Sequence, residues 1–300
     1  MASEYDGAMA GTRAAAVLVL AGIACLAAPA AQERPLPELK PFLAEVRIRL
    51  QTDSVLQSRY TYIETRREAS LNRRGDITRE SVKRFEHGPG LPGEPRWERL
   101  IEEDGRPVPA ATLEAQNRER QRRAEAMARR SARDPQREYE RQVRAWEEYQ
   151  REAAERVADI FRVYEIAAVG RETIDGHDTI AFSLTPRRNA EPRTREGGQM
   201  RRFTVRAWIS EADFELVRLE ATAVEDVSIA WGLLARLHKG ARLTFERRKV
   251  NGEAWLPGRS TWEGSARVGL FAVVRRRGSS EYSDYRVFMV DTSTTFSATD

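Results

Sequence analysis

Two dipeptides that form tight β-turns constrain the fold of this chain more than any other feature. Asp175-Gly176 and Asn251-Gly252 each separate two runs in which apolar and polar residues alternate. Both dipeptides suit the type I′ turn, because that turn needs positive φ at its two central residues. We therefore predict antiparallel hairpins here, in a region that is β-structured from about residue 162 almost to the end of the chain.

The strands predicted in this region share one apolar face. In the run from 202 to 209, apolar residues alternate with Arg202, Thr204 and Arg206, and the runs at 217–223 and 268–274 alternate in the same way. Such alternation is typical of an antiparallel sheet with one buried face. The buried face needs a cover.

An amphipathic helix predicted from Glu38 to Leu50 is the nearest candidate for that cover. After it, residues 59–71 and 76–88 predict another hairpin, and a further strand is predicted at Trp97 to Glu102. The predicted fold is α+β, a curved antiparallel sheet that forms an incomplete β-barrel wrapped over a helix.

A segment rich in arginine and glutamate, about residues 110–160, separates the two β regions. Between Leu113 and Arg156 it contains 12 arginines and 10 acidic residues, and Asp134-Pro135 divides it into two predicted helices. The second helix has an apolar line that it can bury, whereas the first has almost none and is expected to project into solvent. We interpret the segment as a charged helical insertion in a single domain, residues 31–300.

The first thirty residues predict a signal peptide. Residues 14–32 carry no charge, Arg13 precedes them, and the small residues Ala28 and Ala30 suit cleavage before Ala31. We therefore expect a periplasmic or secreted protein.

Three alternatives concern the same leader. Translation from Met9 would remove the acidic Glu4 and Asp6 from the positively charged end that a signal peptide needs. Lipid attachment at Cys25 would tether the protein to a membrane. A retained transmembrane anchor would have to cross the membrane with a short uncharged stretch that contains Pro29.

Composition and motif searches exclude several classes of protein. The 50 basic residues are nearly balanced by 46 acidic residues, which argues against nucleic-acid binding. A single cysteine and the separated His87, His177 and His238 exclude a disulfide framework and predict no metal site. There is no G-x-S-x-G, H-E-x-x-H or phosphate-binding glycine loop, so we predict no catalytic residue and no cofactor.

Three stretches resemble the LolA-like family of lipoprotein-sorting and lipoprotein-carrier proteins of the bacterial envelope. They are GRETIDGHDTIAFSLTP, RAWISEADFELVRLEA and LHKGARLTFERRKVNGEAWLPGRSTWEG. The family phrase W-I-D, seven residues, R-x-E is matched by Trp208, Ile209, Arg218 and Glu220, with Ser210 in place of the acid. The resemblance implies an incomplete barrel closed by helices, whose hydrophobic cavity holds acyl chains.

From the apolar face and this resemblance we predict a non-catalytic envelope protein that binds a lipid or the acyl chains of a lipoprotein. The predicted cavity-lining residues are Phe203, Val205, Ala207, Ile209, Val217, Leu219, Leu243, Phe245, Val268 and Leu270. The apolar stretch around Trp231, Leu233 and Leu234 predicts either a strand or a lid over the cavity.

Other functions stay open. In the main alternative, the core is filled and the charged helices dock an envelope protein. Peripheral contact with a membrane is compatible with this function and with lipid binding. An esterase-like enzyme is a third class, for which the sequence offers no motif. Arg275-Arg276-Arg277 is interpreted as an edge charge that blocks strand pairing, with contact to lipid phosphates as its alternative.

Overall fold

A computed structural model describes residues 34–89, 96–228, 235–268 and 272–287. The predicted signal peptide, with Met9 and Cys25, lies outside these residues. The helices are α1 (Leu39–Gln57), α2 (Ala110–Arg133), α3 (Pro135–Val163) and α4 (Arg195–Met200). None of these helices combines the length and apolar character needed to cross a membrane.

The strands form one antiparallel sheet with the path β4-β3-β2-β1-β13-β12-β11-β8-β7-β6-β5, and β9 and β10 pair beside it. Their bounds are β1 (Tyr60–Leu71), β2 (Ile77–Gly88), β3 (Trp97–Glu103), β4 (Arg106–Pro107), β5 (Tyr164–Ile174), β6 (His177–Pro186), β7 (Phe203–Ser210), β8 (Leu216–Ala223), β9 (Val227–Ser228), β10 (Ala235–Leu237), β11 (Arg242–Val250), β12 (Ala254–Val268) and β13 (Ala272–Val287). The fold is the predicted α+β class, with a curved sheet that is not closed.

The turn chemistry places the hairpins where the sequence predicts them. Asp175 and Gly176 have φ of 49° and 80°, and Asn251 and Gly252 have φ of 53° and 72°. Positive φ at both central residues is the type I′ geometry, so the β5–β6 and β11–β12 hairpins confirm the prediction.

Strand β13 corrects one interpretation. It pairs with β1 on one side and with β12 on the other, and Arg275, Arg276 and Arg277 take part in both pairings. The edge-charge interpretation of these arginines is therefore wrong, because they lie in a strand that is paired on both sides.

Helix α1 lies on one face of the sheet, which we call the inner face; the opposite face is the outer face. Phe42 and Val46 of α1 are buried in the main core cluster, together with Ile180, Phe182 and Ile209 of the sheet. The Phe42 ring lies 5.7 Å from that of Phe182, centroid to centroid. Burial of such side chains stabilises the fold by roughly 1.5–3 kcal/mol each.

A buried arginine ties the end of α1 to the sheet. Arg247 of β11 is 3% exposed. Its guanidinium donates to Asp53 of α1 at 2.5 Å and to Glu215 at 3.2 Å. It also donates to the Trp255 carbonyl oxygen. Because both carboxylates lie against one cation, α1 is held over the inner face by an ionic contact as well as by apolar packing.

Helix α3 is anchored through a buried aspartate. Asp159 is 0% exposed, and its carboxylate accepts hydrogen bonds from Arg162, from the Arg193 and Thr194 amides, and from the Thr194 hydroxyl. Burial raises the pKa of Asp159, but these donors lower it further, to about 2. Gly197 fits against this carboxylate, because a Cβ there would lie 2.3 Å from Oδ2.

Asp134 caps α3 as predicted. Its side chain accepts a hydrogen bond from the Arg137 amide at 3.1 Å, and Pro135 occupies the first turn. Helix α2 has no buried residue in its described length. It contacts the sheet through Arg120, whose guanidinium lies 3.9 Å from the centre of the Trp97 ring.

Candidate functional site

The strand register shows that the inner face has three zones. On β5 to β8 it is apolar and covered by α1. On β8 and β11 it is apolar and partly exposed. On β13, β1 and β2 it carries a polar cluster, which we define as Tyr62, Glu64, Arg66, His87 and Ser280.

The covered zone contains part of the predicted cavity lining. Ala207 and Ile209 are buried in the core cluster of α1, and Val205 packs against that cluster while half-buried. Val217 is buried beside an irregularity in the β7–β8 register, between Trp208 and Ile209. In this zone the side chains of α1 occupy the space over the sheet.

The partly exposed zone contains three other predicted residues, Leu219, Leu243 and Phe245, which we call the open strip. Phe245 is paired with Leu219 across β8 and β11, and the two side chains are half-buried. Leu243 lies two residues away on the same face and is 40% exposed. It is paired with Trp262 of β12, which extends the apolar surface by one strand.

The remaining predicted residues lie elsewhere. Phe203 packs in a separate small cluster with Ala223, Val227 and Leu237. Val268 ends β12, but its side chain and the predicted residues Leu270, Trp231, Leu233 and Leu234 lie outside the described residues.

The polar cluster is built around Glu64, which is 3% exposed. Its carboxylate accepts hydrogen bonds from the Ser280 hydroxyl at 2.6 Å and from two Arg66 nitrogens at 2.9 Å each. His87 Nε2 lies 2.8 Å from the second carboxylate oxygen, and the Tyr62 ring stacks on the His87 ring at 4.8 Å. These contacts hold the Arg66 guanidinium over the Phe85 ring, 4.4 Å from its centre.

Hydrogen bonds keep the Glu64 carboxylate of this cluster ionised. Burial raises the pKa of Glu64, but the His87, Arg66 and Ser280 donors outweigh burial and lower it to about 2. Burial also raises the pKa of Tyr62 and of the neighbouring Tyr282. Glu64 is therefore a fixed anion at neutral pH, and Arg66 is its permanent cationic partner.

A metal ion is a poor fit for the same cluster. One ligand atom from each of Glu64, His87 and Glu98 lies within 4.8 Å of the others, the one such group among the described residues. Arg66, however, binds both oxygens of Glu64 and lies 3.5 Å from Glu98. A divalent ion would lie beside this guanidinium and would have to break the Glu64–His87 contact.

Three residues of the family phrase, Trp208, Arg218 and Glu220, lie on the outer face and are structural, whereas Ile209 is buried in the core on the inner face. Trp208 is buried, its ring lies 5.3 Å from the Arg218 guanidinium carbon, and its indole N–H donates to Glu172 at 2.9 Å. Arg218 also pairs with Glu220. Ser210, which replaces the acid of the phrase, accepts the Asp213 amide in the β7–β8 turn. The phrase therefore stabilises a corner of the sheet.

Sequence reasoning did not identify the polar cluster, although a signal was present. Tyr60, Tyr62, Glu64 and Arg66 have the same parity in one predicted strand, so they share a face. A carboxylate that shares a buried face with two tyrosines needs hydrogen-bond partners. Its partners His87 and Ser280 come from strands whose pairing no short-range pattern predicts.

The site thus belongs to an open antiparallel half-barrel with an apolar strip beside a buried polar cluster. Neither a protein-family model nor a curated protein matches the sequence. The solved structures that it resembles include lipoprotein-sorting and LolA-superfamily proteins, a DUF1329 family protein and a MucA/MucB complex.

Three of these solved structures illustrate the likeness. An outer membrane lipoprotein-sorting protein domain from Vibrio parahaemolyticus has 10% identity and a TM-score of 0.35, over 84% of this chain and 92% of that one. A LolA superfamily protein from Nitrosomonas europaea has 11% identity and a TM-score of 0.28, over 82% and 94%. The MucA/MucB complex of Pseudomonas aeruginosa has 10% identity and a TM-score of 0.21, over 83% and 99%.

Proposed function

We propose that this chain is an exported, non-catalytic protein that binds a lipid or the acyl chain of a lipoprotein along the open strip. The observation that supports this function is the exposure of Leu243 on the inner face, beside Leu219 and Phe245. An apolar strip within a curved sheet matches a hydrocarbon chain better than it matches a polar ligand.

The neighbouring polar cluster gives the ligand a direction. One row across the strands runs from Leu219 and Phe245 through Ser260 and Ser280 to Arg66. Four strand spacings make this row roughly 19 Å long. An acyl chain over the apolar end would place its headgroup towards the hydroxyls and the guanidinium, and each buried methylene group would contribute about 0.8 kcal/mol.

The test is the uptake of a fluorescent fatty acid by the purified chain and by Leu243→Glu. We expect the variant to fold normally, because Leu243 is 40% exposed, and to lose at least tenfold in affinity, because a carboxylate would then face the hydrocarbon. The matched control is Val169→Glu, at an exposed apolar residue of β5 that lies away from the strip.

Two outcomes would contradict the function. One is wild-type protein that takes up no fatty acid and yields no lipid on organic extraction. The other is an equal loss of affinity in Leu243→Glu and Val169→Glu, which would show that binding does not involve the open strip.

A second candidate function is a protein-interaction module, and α3 carries the observation that favours it. Trp146 and Tyr149 are 43% and 40% exposed and their rings stack at 5.9 Å. Exposed aromatic side chains are enriched at protein interfaces. A photo-crosslinking residue in place of Trp146 should then capture one envelope protein that the same residue in place of Arg118 does not capture. Equal labelling from both positions would contradict this function.

For both functions we propose a protein of the periplasm or the cell exterior, and the alternative is a form tethered to a membrane through Cys25. Mass spectrometry of the mature N-terminus distinguishes the cleaved form from the tethered form. Cleavage before Ala31 is expected, and a lipid-modified Cys25 would establish the tethered form.

A further inference from the structure

A polar pocket of about 420 Å³ is lined mostly by residues of the outer face, on the side of the sheet opposite the open strip. Trp262 and Gly278, whose positions belong to the inner face, complete its lining. Five neighbouring strands form it, namely β2, β1, β13, β12 and β11. Its volume is within the range of pockets that hold small ligands. The proposed acyl-binding function does not use it.

The strand register explains why a depression forms here. Ser279, Thr261 and Thr244 are cross-strand neighbours and make a row of short hydroxyl side chains. The next row, two residues along each strand, carries the long side chains of Arg277 and Arg242. Short residues beside long ones leave a floor of hydroxyl groups with charged walls.

Three arginines surround this floor. Arg67 is the cross-strand partner of Ser279, and Arg277 lies two residues from Ser279 along β13. The Cα atoms of such diagonal neighbours are about 7–8 Å apart, so both guanidinium groups can reach one anion. Arg242 stands on the far side, two strands from Arg277. Within the described ranges, none of these three guanidinium groups makes an ion pair or a hydrogen bond.

Two acids complete the walls. Glu263 is the cross-strand neighbour of both Arg277 and Arg242, and Glu80 is the neighbour of Ala69 in the same row. Carboxylates repel a phosphate but accept hydrogen bonds from the hydroxyl groups of a ligand. The pocket therefore offers guanidinium groups for an anion and hydroxyl and carboxylate groups for a polyol.

We propose that this outer pocket binds a phosphate ester of a polyol, with Arg67 and Arg277 on the phosphate and the hydroxyl row on the polyol. The guanidinium fork matches phosphate geometry, and such charge-assisted hydrogen bonds are among the strongest in proteins. The ester is either a soluble polyol phosphate or the headgroup of a glycerophospholipid.

Calorimetric titration with glycerol 3-phosphate tests the proposal on the purified chain. We expect saturable binding with a dissociation constant of about 1 mM or tighter, and no saturable binding of glycerol. Arg277→Gln and Arg67→Gln should each weaken binding about tenfold, because each removes one charge-assisted contact. Arg118→Gln, at an exposed arginine of α2, is the matched control and should bind as the wild type does.

Vesicles distinguish the two sources of the phosphate ester. Arginine-dependent flotation with phosphatidylglycerol vesicles, but not with phosphatidylcholine vesicles, would identify a lipid headgroup. Glycerol 3-phosphate binding without flotation would identify a soluble ester. The proposal is overturned if glycerol 3-phosphate does not saturate, or if Arg118→Gln weakens binding as much as Arg277→Gln does. Circular dichroism of each variant checks that these exposed residues leave the fold intact.

Discussion

Replacement of Glu64 by glutamine should destabilise the protein by about 3 kcal/mol at neutral pH. The pKa of Glu64 lies at about 2, against an ordinary value of 4.5, and one pKa unit corresponds to about 1.4 kcal/mol. Glutamine removes the charge but keeps the shape, so the Ser280, Arg66 and His87 groups lose their ionised acceptor. Urea unfolding at about pH 7, followed by circular dichroism, measures the difference.

The pH dependence of the stability difference is an independent test of the Glu64 contribution. Because folding lowers the pKa of Glu64, its contribution is complete above about pH 4.5 and is lost as the pH falls towards about 2. The difference between wild type and Glu64→Gln should therefore shrink on acidification. Glu98→Gln is the control beside the cluster, since the Glu98 carboxylate lies 3.5 Å from Arg66 but is 53% exposed and should contribute less than about 0.5 kcal/mol. A cost for Glu64→Gln below about 1 kcal/mol, or one that stays constant with pH, would refute this reasoning.

Two further substitutions test how the helices are held. Asp159→Asn should lower the free energy of unfolding by about 2 kcal/mol in urea at neutral pH, because the pKa of the buried carboxylate lies at about 2 against an ordinary 3.8. This loss should become smaller as the pH falls from 3.8 towards 2. A loss that acid does not change would contradict the role of the Asp159 carboxylate in anchoring α3. Arg247→Ala should cost about 3–5 kcal/mol, because it leaves Asp53 and Glu215 without their cation; a change below about 1 kcal/mol would show that this ionic contact does not hold α1.

Patterns among neighbouring residues were sufficient to predict most of the helices, strands and turns. The Asp175-Gly176 and Asn251-Gly252 turns, the cap at Asp134 and the alternation in β7 depend on neighbouring residues, so sequence patterns are sufficient to find them. The α+β class follows from the same patterns, because a sheet with one apolar face has to be covered.

The polar cluster of the site could not be predicted from the sequence, because strands that are far apart in the chain bring its residues together. Insertion of β13 between β1 and β12 brings Ser280 to Glu64, 216 residues apart in the chain, and no turn signal encodes this contact. The alternating apolar residues also divide into a part that α1 covers and a part that it leaves exposed. Ile209 and Leu243 have the same pattern in the sequence, and only the position of α1 separates them.

The central claim is that an acyl chain lies on the open strip. A fatty acid with a diazirine at its terminal carbon, irradiated with the purified chain and mapped by mass spectrometry, tests it most directly. We predict that labelling falls within 216–223 and 242–250, and that excess unlabelled fatty acid abolishes it. Labelling confined to α2 and α3, or labelling that does not respond to the competitor, would contradict the account.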